Sequence, residues 1–150
     1  MSSCTFFGHR DAPKKIESDL YFVLNELVKK HNVDSFYVGN NGNFDHIVRQ
    51  QLAVLKRNYP HINYSVVLSH IPTRKDGQDY ENTIYPDGLE KTPPKYAVCK
   101  RNEWMLKKSD YVVTYVVYSF GGAFKYKNMA ERKNKTVINL PELTSIHNSG

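Results

Sequence analysis

Two cysteines in 150 residues exclude a disulfide framework, and Cys4 and Cys99 lack the spacing of a metal site. The sequence has no run of about 20 apolar residues, so nothing in it reads as a membrane span. Its first residues show no basic-then-apolar leader pattern. No block of five like charges occurs, which argues against a dedicated nucleic-acid arm. Internal repeats and low-complexity tracts are also lacking. The reading that follows is one cytoplasmic domain with reduced cysteines and neither metal nor cofactor. What the chain does have is a net charge of +6 and 11 Tyr with 7 Phe. A basic balance favours polyanions or phosphorylated small molecules. Pairs such as Lys14 and Lys15 or Lys107 and Lys108 are scattered, as on solvated helix faces.

Strand-like and helix-like segments alternate, the pattern of a parallel sheet covered by helices. Thr5–Gly8 reads as the first strand. Asp11 is expected to cap a first helix, with Pro13 in its first turn. Ile16, Leu20, Val23, Leu24, Leu27 and Val28 carry that helix to about His31. Residues 35–39 (SFYVG) form the second strand. Phe44, Ile47, Val48, Leu52 and Leu55 mark the second helix, with Asn43 as its expected cap. Residues 63–68 are the third strand. Residues 69–94 hold Pro72, Gly77, Pro86, Gly88, Pro93 and Pro94, and read as a long loop able to act as a lid. Tyr80, Tyr85 and Asp87 in it are candidate base contacts. Pro94 opens a third helix running to about Lys108. The continuous apolar run DYVVTYVV, 110–117, suits a central strand buried on both faces. A fourth helix spans about Phe124 to Lys133, and 135–140 form a fifth strand. The expected architecture is a three-layer α/β/α sandwich with a five-stranded, mainly parallel sheet in the order 3-2-1-4-5.

That order places the candidate chemistry. Ligands of open parallel sheets bind beyond the carboxyl ends of the strands, where strand order reverses. Here that point lies between the first and fourth strands. The first ends in Gly8, His9 and Arg10, and the fourth in Tyr118, Ser119, Phe120, Gly121 and Gly122. Paired glycines before a helix let backbone N–H groups approach an anion, and the helix N-terminus adds partial positive charge. Arg10 is suited to clamp a phosphate. The second strand ends in GNNGNFD, with Gly39, Asn41, Gly42 and Asp45. Asp45 reads either as a first-turn carboxylate favoured by the helix dipole or as a ribose ligand or base. In KRNEWM, 100–105, Arg101 shares a helix face with Met105, so a core Met105 draws Arg101, with Asn102 beside it, toward the crevice. Asp45 and Glu103 are the candidate catalytic carboxylates. His9 and His70 are candidate acids, although a lone histidine is more often structural.

TFFGHR, VGNNGNFD, KRNEWMLKKSDYVV and YSFGGAFKYKNMAERKNKTVINL together resemble the SLOG superfamily over about residues 4–140. That superfamily includes the LOG phosphoribohydrolases, the Smf/DprA proteins and small stand-alone YpsA-like proteins of bacteria or phage, and the last type is the most similar. The resemblance implies a Rossmann-like fold binding nucleotides or nucleotide-derived ligands, including NAD-derived ones, for sensing or sequestration. It implies that Gly8, Arg10, Gly42, Asp45, Arg101, Gly121 and Gly122 line the pocket. One departure stands out. LOG enzymes follow the glycine pair with Gly-Thr and a catalytic Glu, whereas this chain reads Gly121, Gly122, Ala123, Phe124, with Glu131 too late. The expectation is therefore a nucleotide-binding module. A nucleoside 5′-monophosphate N-glycosidase and a single-stranded nucleic-acid binder are the alternatives. The aromatic content leaves room for a homodimer.

Overall fold

The computed structural model describes residues 2–70 and 82–143. Six strands form one sheet: β1 Ser2–Gly8, β2 Val33–Val38, β3 Asn63–Val67, β4 Thr83–Ile84, β5 Tyr111–Tyr115 and β6 Thr136–Asn139. The order is β4-β3-β2-β1-β5-β6, and every neighbouring pair is parallel. Among the described residues, the helices that flank it are α1 Glu17–His31, α2 Gly42–Asn58, α3 Pro94–Lys108 and α4 Gly122–Arg132.

The expected order 3-2-1-4-5 is the observed order of β3, β2, β1, β5 and β6. The count is corrected from five strands to six. The extra strand lies within the expected loop, where Thr83 and Ile84 pair with Val66 and Val67. A two-residue strand is too short for any alternation to announce it. It forms because β3 offers an edge. The Val66 N–H donates to the Asn82 carbonyl, and the Leu68 N–H to that of Ile84, both at 2.8 Å. Leu89, in the 3₁₀ turn Leu89–Lys91, is buried, and Tyr85 packs on the core. Pro72, Gly77 and Tyr80 lie outside the described residues, as do 144–150.

Burial on both faces explains the apolar strands. On β1, Cys4 and Phe6 face the layer of α1 and α2, beside Phe36, Phe44, Leu24 and Leu52. Phe7 faces the opposite layer, with Met105 and Leu106 of α3 and Tyr126 and Ala130 of α4.

Two expected helix caps are corrected. Pro13 precedes a 3₁₀ turn, Lys14–Ile16, which leads into α1, so Asp11 caps neither. Asn43 is the second residue of α2, and the cap position is Asn41. The Asn43 side chain instead donates to the Ala12 carbonyl, and its N–H donates to the Arg10 carbonyl at 2.9 Å. These bonds fasten the start of α2 to the turn after β1.

Gly8 is dictated by the same docking. A Cβ there would lie 2.2 Å from the fully buried ring of Phe44. No rotation of an enclosed ring relieves such an overlap, so β1 or α2 would have to shift. Gly8→Ala is expected to lower the unfolding free energy by about 1–3 kcal/mol, as overpacking does. Urea denaturation checks this, with a lower midpoint at an unchanged slope.

Candidate functional site

The carboxyl ends of β1 and β5 open onto a crevice of about 380 Å³. Gly8, His9 and Arg10 line one wall, and Tyr118, Gly121 and Gly122 line the other. Asn41, Asp45, Arg101 and Asn102 complete it from α2 and α3. Of the remaining sequence candidates, Gly39, Gly42 and Ser119 are not among the lining residues. Gly39 lies beneath the site: a Cβ there would come within 2.8 Å of both Arg101 Nη1 and Asp45 Oδ2. Gly42 packs against Arg10. Glu103 is absent from the lining and pairs with Lys100 at 3.9 Å on an exposed helix face. Among the described residues, none of 82–93 reaches the crevice.

The floor is a buried polar network. Arg101 is 2% exposed because Met105, one turn on, is packed into the core. Its Nη1 donates to the Val67 carbonyl at 3.1 Å and to Asn40 Oδ1 at 3.3 Å. Nη2 donates to Asn41 Oδ1 at 2.9 Å, and Nε to Asn102 Oδ1 at 2.8 Å. Asp45 reaches back over the first turn of α2, where Oδ2 accepts the Asn41 N–H at 3.0 Å. Burial raises the Asp45 pKa to about 6, against the pull of Arg101, Arg49 and Arg10 and of the Asn41 N–H. Burial also lowers the Arg101 pKa, and Asp45 opposes that shift.

His9 acts on the opposite wall. Its Nε2 accepts the N–H of Val117 at 3.0 Å and of Tyr118 at 3.2 Å, so that nitrogen carries no proton. Burial pushes its pKa below the usual histidine value, with Asp11 opposing. The ring lies 4.6 Å from that of Tyr118.

Gly121 heads α4 at φ +92°, ψ 177°, a conformation reserved for glycine, and no side chain caps that helix. Open space lies where a Cβ would stand at Gly121 and Gly122. The rim is aromatic. Tyr118 and Phe120 are 41% and 68% exposed and stack at 5.3 Å and 18°.

Sequence reasoning missed Asp11, Phe120, Val98 and Tyr126, which also line the crevice. Asp11 looked like a helix cap, but its Oδ2 accepts the Tyr118 hydroxyl at 3.3 Å across the crevice. Phe120 stood in a quoted motif, and its exposure was the signal to use. Among the described residues no cluster of His, Cys, Asp and Glu could hold a metal ion, and no helix is long and apolar enough to cross a membrane.

Asp45 makes one signature measurable. Its folded pKa, about 6, lies above the ordinary 3.8, so the ionised form is disfavoured in the native state. Its stabilising contribution is complete below the unfolded pKa and is lost as pH rises through about 6. Asp45→Asn removes this dependence. Urea unfolding should show the variant gaining on the wild type by on the order of 2 kcal/mol between about pH 4.5 and pH 7.5.

No family model matches the chain, and no curated protein sequence matches it at a significant level. Solved structures do. The chain is similar to DNA processing protein A (DprA) from Streptococcus pneumoniae, with a TM-score of 0.66 and 15% identity, over 91% of this chain and 49% of that one. It is also similar to DprA from Helicobacter pylori, in a structure described as giving insight into a unique single-stranded DNA binding mode. There the TM-score is 0.62 and the identity 16%, over 91% of this chain and 63% of that one. The chain thus spans less than two thirds of either. At these identities the likeness is one of fold: the chain carries the Rossmann-like fold of DprA, one of the groups its motifs resemble.

Proposed function

We propose that the crevice binds a nucleotide unit, with its phosphate between Arg10 and the start of α4 and its base against the Tyr118–Phe120 pair. The observation that carries this reading is the joining of three features in one crevice: an exposed arginine, an uncapped helix N-terminus headed by glycine, and a stacked aromatic rim. First-turn amides and the helix dipole favour an anion, and the guanidinium fork matches phosphate oxygens. Stacking on an aromatic side chain is worth about 1–3 kcal/mol per base. A crevice of about 380 Å³ suits a ligand of mononucleotide size. Asp45, on the floor, is then an acceptor for a sugar hydroxyl. Hydrolysis of an N-glycosidic bond is the weaker reading, because of the two alternative bases Glu103 stands away from the crevice and only Asp45 lines it.

A second reading makes the bound unit part of a single strand of DNA. It is favoured by the net charge of +6 and by the single-stranded DNA binding described for the Helicobacter pylori DprA structure.

Thermal shift with AMP, ADP-ribose, NAD and an oligo-dT tests both. A ligand at 100 times its Kd should stabilise the fold by about 2.7 kcal/mol. Arg10→Ala or Phe120→Ala should weaken binding about tenfold each, a cost of about 1.4 kcal/mol. A strand reveals itself by affinity that falls steeply with salt. Absence of stabilisation by every member of the panel at millimolar concentration overturns the reading.

A further inference from the structure

Strand β5 stops at Tyr115, yet the chain beyond it is held. The ladder between β5 and β6 ends at the pair Thr114 and Asn139. The Asn139 side chain then continues it. Its Oδ1 accepts the Val116 N–H at 2.9 Å, and its Nδ2 donates to the Val116 carbonyl at 3.1 Å. The carboxamide thereby imitates one more strand residue. The Thr114 hydroxyl donates to the same Oδ1 at 2.9 Å, which fixes the orientation of the amide. From the other neighbouring strand, His9 takes the next two N–H groups, those of Val117 and Tyr118. Three successive amides are therefore captured by side chains of two different segments. Tyr118 and Phe120 project from the chain so held.

Resting on the nucleotide reading above, we infer that Asn139 and His9 are positioning residues that aim the aromatic rim and so set its affinity for a base. Asn139 acts from outside the crevice, since it is buried and not among the lining residues. Backbone amides alone would leave residues 116–118 with no acceptors beyond the end of the ladder, and the rim would sample many directions. Holding it in advance removes an ordering cost from binding. The groups facing His9 are the Asp11 carboxylate and the rings of Tyr115 and Tyr118. The clamp needs the lone pair of Nε2, so it is intact at neutral pH and opens on the His9 side when the imidazole is protonated.

A double-mutant cycle separates this role from mere structural support. AMP is titrated at neutral pH into wild type, Asn139→Ala, Phe120→Ala and the double variant, each first shown to be folded by circular dichroism. Asn139→Ala should weaken AMP several-fold, up to about tenfold. If it acts through the rim, it should cost clearly less once Phe120 is removed, since only Tyr118 then remains to be aimed. Additive losses, or unchanged affinity in the single variant, overturn the inference. Amide exchange by NMR on the wild type needs neither ligand nor variant. Val116, Val117 and Tyr118 should be protected at neutral pH. Acid should deprotect Val117 and Tyr118 alone, in step with the His9 ring and at a midpoint below the usual histidine value. Unprotected amides at neutral pH, or a proton on His9 Nε2, refute the clamp. If wild type binds neither AMP nor any other member of the panel while the amides behave as stated, the clamp stands and the nucleotide reading falls, taking the affinity claim with it.

Discussion

The Arg101 guanidinium is the interaction on which the crevice end of this molecule depends. A cation that is 2% exposed has lost its hydration, and only a full set of acceptors makes that tolerable. Four of its five N–H groups have acceptors, on Val67, Asn40, Asn41 and Asn102. Those partners come from the end of β3, the turn between β2 and α2, and α3 itself. One planar group therefore ties α3, which no ladder joins to the sheet, to the end of β3 and to the turn that follows β2. Lysine could not do this, because its three donors sit on one atom and cannot fork across the gap. The cost is visible at Asp45, whose carboxylate is held beside the guanidinium yet titrates near 6. A buried carboxylate that burial disfavours, on the floor of a crevice, is an acceptor that the site proposed above would use.

The sheet was legible because a parallel strand covered on both faces must be apolar throughout. DYVVTYVV and TFFG could hardly be anything else, and once they are central the order of the remaining strands follows from short right-handed connections. Thr83 and Ile84 were illegible for the opposite reason. Two residues have no period, and their strand exists only because β3 leaves an edge to be paired. Asp11 and Asn43 misled because they have the chemistry of caps. Both are spent on tertiary bonds instead, to Tyr118 and Ala12. A cap is a local bond, and a stronger long-range partner displaces it without leaving any trace in the local sequence.

At the site, periodicity carried Arg101 correctly and could have dismissed Glu103. Residues two apart on a helix point to different faces, so if Arg101 turns inward with Met105, Glu103 turns away. Gly8 was named as a pocket residue and does line the crevice, but what requires a glycine there is the ring of Phe44. Asn139 was invisible. It lies in KTVINL, which reads only as a strand, and its use as a substitute for backbone depends on where β5 happens to end.

Charge alone does not make this crevice a sink for anions. Arg101 and Asp45 oppose each other on the floor, and Arg10 and Asp11 oppose each other at the wall. Arg101, moreover, has already committed four of its five donors. What remains for a phosphate is Arg10 and the amides that begin α4, and these recognise shape and direction more than net charge. Such donors are useful only if they are held in place before the ligand arrives, because loose amides would first have to be ordered. The same requirement applies to the aromatic rim. The investment in Arg101 beneath the site, and in His9 and Asn139 behind its wall, has one consequence. It converts flexible turns at the ends of four strands into fixed surfaces, so that on the nucleotide reading proposed above a nearly neutral crevice would discriminate by geometry, where a basic patch would take any polyanion.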